Sequence, residues 1–344
     1  MPSLSLLSRL WQPRKATVNW PQHTVQRWLI LQQGDNPSTD YYVWPRLHAS
    51  GLPVSCRHLD LDKPRAQDFA NGTGVVIVRY LNGQWAKALR AYRGRLAQVV
   101  YFMDDNLLQP EQWIGLPKPY MKKLNKYCRP FIGDIQQLAS SYWFSTHALH
   151  KLYRFGSAQV VVPQPLPDDA AVASSYTAPP GPIRLFYHGT AAHTAEINWL
   201  QPIIAEVLKH CPDAHFEIMG NHDVNVQYRA LPRTRILHPM SWPNYLSHCR
   251  ALQGHIGLAP LLSTRFNAGR SHSKIYDIAR CGAVGLYSTG GPYQPFISHA
   301  QNGMLLANEP QIWVDTLCRL IDDRAELNKL RQAAGELLRA PTSP

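Results

Sequence analysis

The sequence predicts an α/β protein of two doubly wound domains. Three observations predict this. Short apolar strands alternate with amphipathic helices from Arg27 onward. The alternation is broken by a stretch rich in Pro, Ala and Ser over 162–182, which has neither a strand nor a helix period. The length, 344 residues, suits about two domains. The expected division is a first domain over 1–165, a linker over 166–182 and a second domain over 183–344.

In the first half, strands are expected over Arg27–Gln32, Val54–His58, Gly74–Arg79, Gln98–Met103, Ser141–Ser145 and Ala158–Val162. Each is a short apolar or β-branched run bounded by turn residues. Helices are expected over Tyr41–Ala49, Gln84–Tyr92 and Thr146–Tyr153. In the second half, Ile183–His188 is a strand ending in Gly189-Thr190. The helix after it lines up Ile197, Leu200, Ile203, Ile204, Val207 and Leu208 on one face. Strands follow at His215–Met219, Thr234–Leu237, His255–Ala259, Ala283–Tyr287 and Gly303–Leu306. Helices are expected at Trp242–Arg250, with Ser241 as N-cap, at Ser273–Arg280 and over Gln311–Leu338. Strands alternating with helices imply parallel sheets covered on both faces. Ligands of such sheets lie at the carboxyl ends of the strands, so two facing domains point to the cleft between them.

Composition excludes several classes. The chain is 45% hydrophobic and 17% charged, which is too apolar for disorder. No apolar run approaches the ~18 residues of a membrane span. Met1 to Trp20 lacks a signal-peptide layout, so a cytoplasmic protein is expected. Leu4, Leu6, Leu7, Leu10 and Trp11 with Arg9, Arg14 and Lys15 read either as an interfacial anchor or as a disordered tail. Six scattered cysteines include no C-x-x-C, and the fifteen histidines form no H-E-x-x-H, so no metal site is expected.

The net charge is +12, and the first half carries most of it. Residues 1–180 hold 20 Lys and Arg against 11 Asp and Glu. Such a surface suits polyanions: nucleic acid, an anionic membrane or phosphorylated substrates. No helix-turn-helix, RNA-binding sheet motif or zinc module points to nucleic acid. The densest cluster is Lys118, Lys122, Lys123, Lys126 and Arg129. It reads either as a solvated helix face or as a patch for a membrane or an anionic acceptor.

The most informative segment runs from Pro260 to Gly282. A strand ends, a polar loop follows, and a helix opens near Ser271–Ser273. Arg270 and Lys274, four residues apart, suit a clamp for a diphosphate. Asp277, one turn on, suits a ribose hydroxyl; the plain alternative is a surface Lys274–Asp277 pair. In the first half, the loop Gln33–Asp40 follows the first strand. Gly34 allows close approach, and Asp35, Ser38, Thr39 and Asp40 offer hydrogen bonds. Tyr41 and Tyr42 follow as two adjacent aromatic rings. The alternative is a turn capped by Thr39 or Asp40. Asp104 and Asp105 follow another expected strand, as hydroxyl clamp, catalytic base or helix cap, and Arg79-Tyr80 ends a third.

Taken together, His255-Ile-Gly-Leu-Ala-Pro-Leu262, Phe266-Asn267, Ser273-Lys274-Ile-Tyr-Asp277, Gly282-Ala283-Val284 and Gly290-Gly291-Pro292-Tyr293 resemble the donor half of GT-B glycosyltransferases. The resemblance is to the family-4-like, group 1 enzymes of bacterial surface polysaccharide assembly, and covers about 183–338. Asn302-Gly-Met-Leu-Leu306 is similar to their late strand, and Gly189-Thr190 to the glycine turn beneath the donor phosphates. The resemblance implies a GT-B fold, two Rossmann-like domains facing across a cleft. It implies a nucleotide-sugar donor held by Gly189, Thr190, Arg270, Ser273, Lys274, Asp277, Gly290 and Gly291. The acceptor, saccharide or lipid-linked, would then meet Gly34, Ser38, Thr39, Tyr41 and Arg79, with Tyr41 and Tyr42 placed to stack on a sugar ring and Asp104 and Asp105 to clamp its hydroxyls.

The chain departs from the family's pattern. Where many members carry a pair of glutamates about eight residues apart, Asp277 fills the second place and Gly269 or Arg270 the first. Ala191-Ala192-His193 stands where a basic pair often follows the glycine turn, and Arg270 and Lys274 are the expected replacements. A retaining transfer, which the resemblance implies, needs no protein base. An inverting one would draw its base from Asp35, Asp40, Asp104 or Asp105. No cofactor or metal is expected for either. The other readings are a nucleotide-sugar epimerase on the same fold and a non-catalytic glycan or polyanion binder. The expected location is the cytoplasm, on the inner face of the membrane if the basic surface meets lipid.

Overall fold

The computed structural model describes residues 23–153, 155, 157–173, 181–189, 191–264 and 266–339. The segment Met1 to Trp20, Thr190 and the middle of the expected linker lie outside the described residues.

Two six-stranded sheets organise the chain. The first comprises β1 Arg27–Gln32, β2 Val54–His58, β3 Thr73–Val78, β4 Leu96–Met103, β5 Ser141–Phe144 and β6 Ala158–Val160, ordered β2-β1-β3-β4-β5-β6. The second comprises β7 Ile183–His188, β8 Ala214–Met219, β9 Thr234–Leu237, β10 Ile256–Ala259, β11 Val284–Ser288 and β12 Met304–Leu306, ordered β12-β11-β10-β7-β8-β9. Every strand pairing within both sheets is parallel. The order of each sheet reverses once, between β1 and β3 and between β7 and β10. These are the two switch points at which such sheets open a crevice.

The helices of the first half are α1 Trp44–Ala49, α2 Gly83–Tyr92, α3 Lys118–Tyr127, α4 Ile132–Leu138, α5 His147–Tyr153 and α6 Asp169–Ala173. Those of the second are α7 Thr194–His210, α8 His222–Tyr228, α9 Trp242–Leu252, α10 Lys274–Arg280, α11 Pro310–Asp322 and α12 Arg324–Gly335. Successive strand residues feed opposite faces. Leu29, Leu31, Val75 and Ile77 join one core, and Trp28, Ile30, Val76 and Val78 join another. The second of these cores crosses the domain boundary, taking in Trp242, Tyr276, Ala279 and Leu338.

The structure adds α4 and α8, for which no helix was expected, and departs from expectation at three further places. The stretch 162–182 is not featureless: α6 forms there, because Asp169 at its start bonds the buried Arg280. The closing helix is two helices, because the Asp323 side chain accepts from the Glu326 N–H and restarts the chain as an N-cap. The helix expected at Tyr41 begins as a wide turn over Thr39–Val43; the Thr39 N–H donates to Asn36 Oδ1, so Asn36 takes the capping place expected of Thr39 or Asp40.

Candidate active site in the interdomain cleft

The carboxyl ends of strands from both sheets face a cleft of about 430 Å³. On the first-domain side, the loop after β1 supplies Ser38, Arg79 follows β3, and Asp104 and Asp105 follow β4. On the second-domain side, the turn after β7 supplies His193, and the loop after β10 supplies Arg270, Ser271, Ser273 and Lys274. Asp277 and Tyr293 complete that wall.

Arg79 is the hub of the first wall. Its Nε lies 3.2 Å from Asp104 Oδ1, and its Nη2 lies 2.6 Å from Asp105 Oδ2. It also donates to the Tyr120 hydroxyl at 3.2 Å and to Ser38 Oγ at 3.3 Å. Ser38 donates to Asp104 Oδ2 at 2.5 Å, and Tyr120 donates to Asp105 Oδ2 at 2.9 Å. The adjacent carboxyls are driven apart. Burial pushes the Asp104 pKa up, and the Asp105 charge adds to that against the pull of Arg79. Burial acts on Asp105 the same way, but Arg270 and Arg79 outweigh it and hold that carboxyl below its ordinary value. Asp104 is therefore the stronger base of the pair, and Asp105 the fixed anion.

The second wall is a relay around Arg270. Its Nη1 donates to His193 Nε2 at 3.0 Å and reaches Asp105 Oδ1 at 3.9 Å across the cleft. Its Nε donates to Asn267 Oδ1 at 3.2 Å, and Asn267 donates to the buried Glu196 at 2.7 Å. Arg270 Nη2 is buried without a hydrogen-bond partner. Burial, reinforced by the Arg270 charge, lowers the His193 pKa to about 4. His193 is then neutral near pH 7, accepting from Arg270 at Nε2 with Nδ1 turned to Glu196 at 3.7 Å. Burial acts to raise the Glu196 pKa, but the nearby His193 ring and the bonds from backbone N–H groups outweigh that and hold it at about 2. Lys274 donates to the His188 carbonyl, and burial lowers its pKa.

Several expected site residues lie elsewhere or act otherwise. Tyr41 cannot stack on a sugar. It is fully buried between the domains, donating to Asp277 at 2.5 Å and accepting from Arg280 at 2.8 Å. Asp277 lines the cleft, but one of its oxygens is committed to those two groups. Asp40 accepts from Trp242 Nε1 at 2.7 Å and serves the domain contact. Tyr42 is likewise in the core. Thr39 is buried in the turn, Gly34 offers its carbonyl to Asn36, and Asp35 is exposed and paired with His58 at 3.2 Å. Gly189 is required for space, since a Cβ there would sit 2.5 Å from the Tyr187 ring. Gly290 adopts φ +72° in an exposed turn with Gly291, and Tyr293 rather than either glycine lines the cleft. Ser38, Arg79, Asp104, Asp105, Arg270, Ser273, Lys274 and Asp277 are brought together as expected.

Sequence reasoning assigned no site role to Glu196, Tyr120, His193 or Ser271, and placed Lys123 only in the basic cluster. Tyr120 and Lys123 are three apart on α3, and that spacing was the available signal for a shared face. His193 and Glu196 have the same spacing, but nothing local marks them as a pair supporting Arg270. Four cations line the cleft, Arg79, Lys123, Arg270 and Lys274, against three carboxylates, Asp104, Asp105 and Asp277. Among the described residues, groups of three metal-ligating side chains converge around His188.

Two parallel Rossmann-like sheets with their switch points turned to one cleft define the GT-B fold, and this chain has it. No family model matches the chain, and no curated protein matches it in sequence. Solved structures do match. An α-glucosyltransferase in complex with UDP and a 13-mer DNA is 12% identical, with a TM-score of 0.61 over 91% of this chain and 94% of that one. Anabaena HepE in complex with UDP and glucose is 13% identical, with a TM-score of 0.54 over 91% and 94%. A Listeria monocytogenes protein assigned as a UDP-N-acetylglucosamine 2-epimerase is 12% identical, with a TM-score of 0.50 over 92% and 94%.

Proposed function

We propose that the chain is a glycosyltransferase, moving a sugar from a nucleotide-sugar to a saccharide acceptor in the interdomain cleft. One observation carries the reading: Arg270 and Lys274 on one wall face Asp104 and Asp105 on the other. The donor diphosphate takes the Arg270–Lys274 wall, where Arg270 Nη2 is an unpartnered buried donor. The acceptor hydroxyl takes the Asp104–Asp105 wall. In a retaining transfer the bond from the anomeric carbon to the phosphate oxygen breaks. The acceptor oxygen bonds that carbon on the same face, and its proton passes to the leaving diphosphate. Arg270 and Lys274 stabilise the charge growing there, so the transfer step needs no metal ion. The raised pKa of Asp104 favours a second reading, an inverting transfer with Asp104 as base.

The acceptor we propose is a lipid-linked or surface glycan met at the membrane. Ile114 is 86% exposed beside α3, whose Lys118, Lys122 and Lys126 are exposed on the same rim as the cleft-lining Lys123. No described helix is long and apolar enough to cross a membrane.

The first test is thermal shift against UDP, GDP, CMP, TDP and ADP. One diphosphate should stabilise the fold by ~2.7 kcal/mol at a hundredfold over its dissociation constant and so raise the midpoint, and Lys274→Ala should abolish the shift. No shift with any of them sinks the donor-site reading. Turnover that requires an added acceptor excludes an epimerase, and parallel glycan and DNA acceptors separate those classes. Product anomeric configuration and Asp104→Asn then separate the mechanisms: the inverting route expects a fall in kcat of about 10²-fold or more.

A further inference from the structure

Behind the donor wall, the end of β7 carries a group of ligands that the transfer does not use. His188, Cys249 and Cys281 bring a ring nitrogen and two sulfurs within 4.8 Å of one another. They come from three elements: the last residue of β7, α9, and the residue that closes α10. All three are buried. His188 Nε2 lies 3.1 Å from Glu217 Oε1, while its Nδ1 is buried and makes no hydrogen bond. Glu217 is itself held by His248 Nε2 at 2.7 Å. Tyr245 packs edge-on to the His188 ring at 5.5 Å.

We propose that His188, Cys249 and Cys281 form a binding site for a thiophilic d10 cation, zinc or cuprous copper, with Glu217 as the carboxylate that orients the histidine. Two sulfurs and an imidazole are the donor set these soft ions select. A tetrahedral ion at ~2.3 Å from sulfur and ~2.0 Å from nitrogen places its ligand atoms roughly 3.3–3.8 Å apart, which small rotamer shifts reach from the observed spacing. The unpartnered Nδ1 gains a bond, and the other ring N–H donates to Glu217, the arrangement metal-bound histidines adopt. A water or the Tyr245 hydroxyl fills the fourth position for zinc, while cuprous copper is satisfied by the three. Such an ion fastens the ends of β7, α9 and α10 together. The His188 carbonyl is the acceptor of Lys274, and Gly189 follows it, so the ion would position the donor wall without touching substrate. The site stands on its own ligands and does not require the proposed transfer.

The test is metal content. Full-length protein, purified under reducing conditions with no affinity tag, should carry about one equivalent of zinc or copper by elemental analysis. Replacement by cobalt should give the thiolate charge-transfer absorption of a tetrahedral site. Cys249→Ser and Cys281→Ser should each lose the metal, Cys318→Ser should keep it, and Glu217→Gln should weaken affinity roughly 10- to 100-fold. If the thiol variants fail to fold, the wild-type chain decides: a chelator should lower its Tm, and added zinc or cuprous ion should restore it. Metal-free protein that gains neither metal nor Tm on titration overturns the proposal. So does a native Cys249–Cys281 disulfide, or metal retained when both cysteines are replaced.

Discussion

Arg79 has a backbone φ of +65°, which a side-chain-bearing residue adopts at a cost of about 1–3 kcal/mol. The surroundings hold it there: its carbonyl accepts from the Tyr101 hydroxyl at 2.8 Å. The return is that one guanidinium meets Ser38, Asp104, Asp105 and Tyr120 at once. A lysine carries the charge but not the planar fork. Hydrogen bonds to charged groups contribute about 1.5–3 kcal/mol each. Arg79→Lys is therefore expected to lower kcat/KM about 10- to 100-fold, read by steady-state kinetics well below the melting temperature. Unchanged kinetics would remove Arg79 from the site.

At the scale of elements, the loop from β10 to α10 does the most. The sequence marked it as the site, and the structure adds how it is held. Glu196, at the start of α7, accepts from the Leu262 N–H and from Asn267, and so anchors both ends of the turn that presents Arg270. His272 sits in the same loop, 5% exposed, stacked on Phe296 with ring centroids 3.7 Å apart. Burial lowers its pKa from 6.5 to about 3, and its Nε2 has no hydrogen-bond partner. The folded state thus binds fewer protons at His272 than the unfolded state does between pH 6.5 and about 3. Stability from this group is complete above pH 6.5 and is lost as pH falls through that window. His193, lowered to about 4, acts in the same direction. His272→Phe should flatten the fall of Tm between pH 6.5 and 4, measured by scanning calorimetry in matched buffers; an unchanged slope would show that His272 does not titrate on unfolding.

The whole molecule is joined by a polar cluster that neither domain completes alone. Arg280 of α10 bonds both oxygens of Asp169 at 2.7 Å, and both side chains are fully buried. Arg280 also bonds Tyr41, which links to Asp277, while Asp40 holds Trp242. Breaking one member of a buried pair strands the other charge, at a cost of about 3–5 kcal/mol. Arg280→Ala should lower the unfolding free energy by that amount in denaturant titration, and adding Asp169→Ala should recover part of it. A loss no larger than a surface pair gives, about 0–1 kcal/mol, would contradict the buried cluster.

By itself the sequence determined the class of fold, the strand set and half of the cleft. Val75–Val78 and Ile183–His188 are legible because strand periodicity and turn residues are local properties. Arg270, Lys274, Asp104 and Asp105 are legible because in a doubly wound fold the ends of strands face the crevice. Only the tertiary structure decided what pairs with what. Tyr41 looks like a sugar platform in sequence, and docking of the second domain turns it into core. His188, Cys249 and Cys281 are separated by tens of residues and share no spacing motif, yet β7, α9 and α10 bring them within 4.8 Å. Pairings of that kind are set by how elements pack, and packing leaves no period in the chain.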